Sequence, residues 1–160
     1  MGDESSPLWS RFDPNRIAAL GHSMGGATLL GLARFGGGDA RIRAETYVSA
    51  AVPLTIGFDD PMDPAGPPTL LIHGLDDPLS SAVSEDLYED LEDPRWYLGI
   101  AGCGHSEELE SQEEPPIPAR AATQTVVGDL LRQTFFGDAG AVDADLADLV
   151  GDGHTVLPAP

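Results

Sequence analysis

The sequence predicts an α/β protein with a parallel sheet covered by helices. Three observations lead there: short apolar runs bounded by Gly and Pro, helical patterns alternating with those runs, and a Gly-x-Ser-x-Gly placed between one run and the next helix. Strands that alternate with helices pair in parallel, because a parallel pair needs a crossover long enough to hold a helix.

The elements follow in order. Asp13-Pro14-Asn15 is a turn, Ile17 to Leu20 is a short buried strand, and Gly21 ends it. Residues 24 to 35 form a helix in which Gly25, Gly26 and Ala27 precede Leu29, Leu30, Leu32 and Ala33, and Gly36-Gly37-Gly38 stops it. Thr46 to Val52 is the second strand, ended by Pro53, and 53 to 68 is a Pro-, Gly- and Asp-rich loop. Thr69-Leu70-Leu71-Ile72-His73, between Pro67-Pro68 and Gly74, is the clearest strand. Ser81 to Leu91 places Val83, Leu87 and Leu91 four residues apart, with Glu85, Asp86, Glu89 and Asp90 elsewhere, which is an amphipathic helix. Arg95 to Ile100 is a fourth strand, 106 to 118 an acidic loop, and 119 to 136 a helix with Ala122, Val126, Leu130 and Leu131 about one turn apart. The acidic tail 137–160 holds at most one short helix, around 141 to 150, so the expected core is 13–136 of a single domain, 1–160.

Composition narrows the function. The 160 residues carry 27 acids against 8 basic residues, a formal net charge of −19, and every basic residue is Arg. Such a field repels polyphosphate and anionic bilayers, so neither nucleic acid nor membrane is an expected partner. One cysteine, Cys103, leaves no internal disulfide and no Cys-based zinc site. The opening Met-Gly-Asp-Glu-Ser-Ser-Pro lacks the positive start and apolar run of a secretory signal, so the chain reads as soluble, with its location open.

Chemistry is expected where strands end, since reacting groups in parallel sheets gather at the carboxyl ends. Gly21-His22-Ser23-Met24-Gly25 lies directly after a strand and before a helix. There a sharp turn projects a serine hydroxyl at the positive end of the helix, and the flanking glycines remove side chains that would collide. The backbone N–H of Met24 is one oxyanion donor. A serine needs a base and an orienting carboxylate. His105, in Gly102-Cys103-Gly104-His105 past the fourth strand, is the candidate base. His22 is read as a packing or hydrogen-bonding neighbour, and neither His73, within a strand, nor His154, in the tail, is assigned a catalytic role. Gly74-Leu75-Asp76-Asp77-Pro78 offers two carboxylates after the best strand. Asp77 is the choice, with Asp76 as a turn or capping residue and Asp59 or Asp60 as a distant alternative. Asp143, Asp145 and Asp148 lack the Gly and terminal Glu of a calcium loop and read as solvated helix charge. Glu107, Glu108, Glu110, Glu113 and Glu114 read as a solvated loop; overhanging a pocket, they would oppose anionic substrates and favour neutral esters.

The order Ser23, Asp77, His105 is that of α/β-hydrolases. From about residue 13 to 150 the chain resembles that superfamily in its Asp13-Pro14-Asn15-Arg16-Ile17 lead-in, its Gly-His-Ser-Met-Gly-Gly elbow, its Leu-Leu-Ile-His-Gly-Leu-Asp-Asp-Pro turn and its Gly-Cys-Gly-His. Within it the chain is most similar to lidless esterase-like branches: dienelactone hydrolases, polyester hydrolases and platelet-activating-factor acetylhydrolase-like enzymes. The resemblance implies an eight-stranded sheet whose nucleophile follows the fifth strand. Only 22 residues precede Ser23, too few for four strands at ~30 residues per βαβ unit. A partial α/β-hydrolase fold is therefore expected: a truncated domain of about four parallel strands, equivalent to strands 5–8, with flanking helices.

The function so implied is a serine hydrolase acting on neutral carboxylic esters through an acyl-enzyme, with no metal or organic cofactor. Two alternatives stand beside it: a truncated non-catalytic remnant or interaction module that needs a partner chain, and an acyltransferase. The exposed edge of the strand at 17–20 would also favour self-association.

Overall fold

The run Leu70-Leu71-Ile72 has no polar face to offer water, and it becomes the middle of the sheet. In the computed structural model, which describes residues 12–50, 63–79, 81–106, 109, 118–150 and 154–157, every residue of that strand is buried. The elements are β1 (Ile17–His22), α1 (Met24–Leu30), continued by a π-helical turn over Gly31–Phe35, β2 (Ile42–Val48), β3 (Thr69–Gly74), α2 (Ser81–Asp90), β4 (Arg95–Ile100), α3 (Pro118–Phe136), α4 (Ala141–Leu149) and β5 (Thr155–Leu157). The sheet order is β1-β2-β3-β4-β5. Its first four strands are parallel, as expected, with Ala18 beside Ala44, Val48 beside Ile72, and Ile72 beside Leu98.

Successive side chains of a strand point to opposite faces, and both faces of β2, β3 and β4 are covered, whereas β1, expected to be a buried strand, leaves Ala18 and Leu20 exposed at the sheet edge. Tyr47, Leu71 and Tyr97 pack with Leu29 and Leu30 of α1 and Leu87 and Leu91 of α2. Val48, Leu70, Ile72 and Leu98 pack on the other face with Ala122, Val126 and Leu130 of α3 and Val142 and Leu146 of α4. No helix among the described residues is long and apolar enough to cross a membrane.

Three further expectations are corrected. The second strand runs over Ile42–Val48 rather than 46–52. Its charged start hides it: Arg43 is exposed, and Glu45 is buried only because Arg34 reaches it at 3.0 Å while Tyr47 Oη donates to it at 2.8 Å. Arg34 also donates to Thr69 Oγ1 at 3.0 Å and Ala65 O at 2.6 Å, so the ion pair is hydrogen-bonded as burial requires. Burial, reinforced by the Glu45 carboxylate, holds the Tyr47 hydroxyl well above its usual pKa. Second, the helix expected over 24–35 changes at Gly31 to the wider π turn, from which the buried Arg34 extends. Third, the tail belongs to the core. Val142 and Leu146 are buried, and β5 pairs antiparallel with β4, Val156 beside Leu98.

The α3–α4 contact contains an acidic pair. Asp129 is 1% exposed, contacts Arg132, and is pushed up to about 6 by burial and by the facing Asp145 carboxyl. The folded chain thus keeps a proton that the unfolded chain releases near 3.8. The stabilisation is complete below that unfolded value and is lost as pH rises through the folded one. Asp129→Asn, neutral at every pH, is expected to flatten the fall in thermal midpoint between about pH 4 and about pH 7. An unchanged pH dependence in that variant would show that the pair carries no folding-linked proton.

Candidate active site

The three candidate residues converge at the carboxyl ends of the parallel strands. Ser23 follows β1, Asp77 follows β3, and His105 lies past β4. His105 Nε2 is 2.8 Å from Ser23 Oγ, and His105 Nδ1 is 2.8 Å from Asp77 Oδ2. Both contacts have hydrogen-bond length, so the imidazole bridges a hydroxyl and a carboxylate.

The elbow is a strained turn. Ser23 has φ 52° and ψ −123°, a conformation that ordinary residues avoid. Its N–H donates to Val48 O at 3.0 Å and its carbonyl accepts the Ala27 N–H at 3.1 Å, so one residue serves both the sheet and the first turn of α1. Met24 N–H is the first amide of α1 and lies among those with no partner inside the helix.

The glycines of the motif are not equivalent. A Cβ at Gly21 would lie 2.5 Å from Gly25 O, and one at Gly26 would lie 2.6 Å from Ala50 Cβ, whereas one at Gly25 meets nothing within 4 Å. Of the two glycines flanking the elbow, only Gly21 is sterically required, and Gly26 just beyond the motif is required as well. Gly21→Ala and Gly26→Ala are each expected to destabilise the fold by about 1–3 kcal/mol, and Gly25→Ala by far less. Urea unfolding of the three variants checks the ranking, and equal losses would contradict it.

The acid and histidine loops are bound to each other through backbone. Leu75 N–H donates to Ile100 O and Asp76 N–H to Cys103 O, both at 2.9 Å. A Cβ on Gly74 would overlap the carbonyls of Cys103 and Gly104, so glycine alone lets the loops approach. Asp77 is buried and Asp76 exposed. Asp77 Oδ1 accepts the Leu79 N–H at 2.8 Å, leaving Oδ2 toward the imidazole. Burial alone would raise the Asp77 pKa. The hydrogen bonds from His105 and the Leu79 N–H outweigh it and set the carboxyl below its ordinary value.

His22 is a hydrogen-bonding neighbour, as expected. Its Nε2 is 2.8 Å from His105 O, which can only accept, so that nitrogen carries the hydrogen. The two rings are 5.1 Å apart, which ties the elbow to the histidine loop. His154 approaches Ala101 N–H at 3.3 Å and Asp143 accepts the Trp96 indole N–H at 2.8 Å; neither is part of this cluster. Asp59, Asp60 and the five glutamates after His105 lie outside the described residues.

His73, which the sequence places within a strand and gives no catalytic role, has its Nε2 3.1 Å from Asp77 Oδ2 and its Nδ1 2.8 Å from Ser84 Oγ. The usable signal was its setting: a polar ring inside an apolar run must find partners when buried.

A parallel sheet covered on both faces, with a strained serine between its first strand and first helix, is an α/β-hydrolase-type fold in partial form. One solved structure supports the fold. The chain is similar to the esterase domain of a Rhodothermus marinus protein, with TM-score 0.52 and 17% identity over 78% of this chain and 64% of that one. It is also similar to a predicted CIB-like hydrolase from Thermoplasma acidophilum, with TM-score 0.47 and 22% identity over 69% and 50%. Est1E from Butyrivibrio proteoclasticus matches with TM-score 0.47 and 16% identity over 70% and 60%. The Rhodothermus domain carries the likeness, which is one of fold. The chain spans 50% to 64% of the length of these structures. No family model matches the sequence, and no curated protein matches it.

Proposed function

We propose that this chain carries the catalytic residues of a serine hydrolase that acts on neutral carboxylic esters. One observation carries the reading: a strained serine and a buried carboxylate on the two nitrogens of one imidazole, each at 2.8 Å. Ser23 Oγ attacks the ester carbonyl while His105 Nε2 takes its proton, and the protonated ring returns it to the departing alcohol. Asp77 holds the ring with Nδ1–H toward Oδ2, which keeps Nε2 free to act as a base. The Met24 N–H stabilises the oxyanion. Water, activated by the same imidazole, then releases the acid. Net charge −19 argues for neutral rather than anionic substrates.

The direct test is a fluorophosphonate probe followed by peptide mass spectrometry, with the adduct expected on Ser23. An adduct elsewhere, or undiminished labelling of Ser23→Ala, would overturn the assignment. Supplying alcohols or amines with the ester separates hydrolysis from acyl transfer by product.

A second reading, association with another chain, is favoured by β1. Among the described residues it has no strand on its outer edge, Ala18 is exposed, and Leu20 is 50% exposed. An apolar parallel strand with an open edge invites pairing. Sedimentation over a range of protein concentration tests it, and a monomer throughout would end it.

A further inference from the structure

Asp77 is held from more than one side. Leu79 N–H fixes Oδ1 at 2.8 Å, while Oδ2 faces two imidazoles, His105 Nδ1 at 2.8 Å and His73 Nε2 at 3.1 Å. His73 sits in β3, 1% exposed, with Nδ1 2.8 Å from Ser84 Oγ on α2. The Nε2 contact is at ion-pair distance without hydrogen-bond alignment, and beside a carboxylate, which only accepts, the field favours the hydrogen on that nitrogen. Nδ1 is then the bare nitrogen, and the Ser84 hydroxyl donates to it. The groups line up as Ser84, His73, Asp77, His105 and Ser23, running from α2 through the sheet to the elbow.

We propose that His73, oriented by Ser84, is a positioning residue: it holds Asp77 Oδ2 in line with His105 Nδ1 and moderates the negative charge on that oxygen. The inference rests on the serine-hydrolase reading and deepens it. A carboxylate turns easily about its terminal bond, and the polar edge of a second imidazole 3.1 Å from Oδ2 opposes that rotation electrostatically. His73 is buried and touches no substrate, so its loss lowers kcat and leaves KM. The same polar edge weakens the field with which Asp77 favours a proton on His105, so its removal moves the acid limb of kcat/KM to higher pH. Among the described residues, the titratable groups near this cluster are His22 across the His105 ring and the exposed Asp76 beside Asp77, with Cys103 on the loop whose carbonyl accepts the Asp76 N–H.

The test uses His73→Leu, His73→Gln and Ser84→Ala, with rates expressed per serine titrated by the fluorophosphonate probe, so that misfolded protein drops out. His73→Leu is expected to lower kcat on the order of 10-fold at constant KM and to shift the acid limb upward. His73→Gln can offer an amide N–H near the Nε2 position and is expected to restore most of both. Ser84→Ala is expected to lie between. Unchanged kcat per titrated site and an unmoved acid limb in His73→Leu would overturn the proposal.

Histidine 15N NMR of the parent chain gives a second readout that needs no turnover. It is expected to show His73 neutral with its proton on Nε2, and a displaced His105 Nδ1 proton resonance in His73→Leu. A His73 proton on Nδ1, or an unmoved His105 resonance, would overturn the positioning contact. Failure of the probe to label Ser23 overturns the hydrolase reading and not this contact, which the two NMR observations then support or overturn by themselves.

Discussion

Ser23→Ala is expected to remove fluorophosphonate labelling and to lower ester turnover on the order of 10⁶ in kcat, the scale seen when a hydrolase loses its triad serine. His105 has no other described hydroxyl at Nε2, so a water in that place would have to act without a covalent intermediate. Stability should move the other way in a companion variant. The Ser23 backbone, at φ 52° and ψ −123°, stores about 1–3 kcal/mol that glycine would not incur. Ser23→Gly is therefore expected to unfold at higher urea than the parent chain while being as inactive as Ser23→Ala, which keeps the strain. A Ser23→Gly chain no more stable than Ser23→Ala would show that the turn is unstrained, and full turnover in either would remove Ser23 from the mechanism.

The next largest effect separates two neighbouring carboxylates. Asp77→Asn is expected to cost about 10⁴ in kcat, because an amide can present its N–H to Nδ1 and hold the imidazole in the tautomer that cannot accept the serine proton. Asp76→Asn should leave most of the turnover. Its side chain is exposed, and the contact that fixes the turn, Asp76 N–H to Cys103 O at 2.9 Å, is backbone and survives the substitution. Steady-state kinetics on an activated ester ranks the two, and the reverse order would transfer the role to Asp76. The stability consequence has a definite sign. Because the Asp77 pKa is depressed in the fold, its contribution is present above the ordinary 3.8 and is lost as pH falls through the lower folded value. Asp77→Asn should therefore lose part of the parent chain's acid destabilisation.

How much could be read beforehand depended on whether a residue's partners are near in sequence. β3, β4 and α2 stand where the apolar patterns put them, within a residue at each end, because burial on both faces or on one face leaves a local signature. The start of β2 was hidden because Glu45 reads as a loop residue until Arg34, eleven positions earlier and one helix away, is seen to neutralise it. β5 was hidden because three residues carry no periodicity, and only β4 beside them makes a strand. The π turn at Gly31–Phe35 left no pattern either.

The candidate site divides in the same way. Gly21, Ser23, Asp77 and His105 were legible because an elbow needs a glycine two residues before its serine, and because each partner sits on a glycine-bounded turn after an apolar run. From those local rules the sequence by itself determined the fold class, the strand ends where the candidate residues gather, and the order of Ser23, Asp77 and His105 along the chain. Only the tertiary structure decided which of two adjacent aspartates faces inward, that the loops after β3 and β4 share backbone hydrogen bonds, and that His73 lies behind Asp77 with Ser84 at its far nitrogen. Those are contacts between strands and helices whose separation along the chain is unrelated to their separation in space. Hydrophobic periodicity specifies which face of an element is buried, and the packing of several elements together sets which polar atoms meet there.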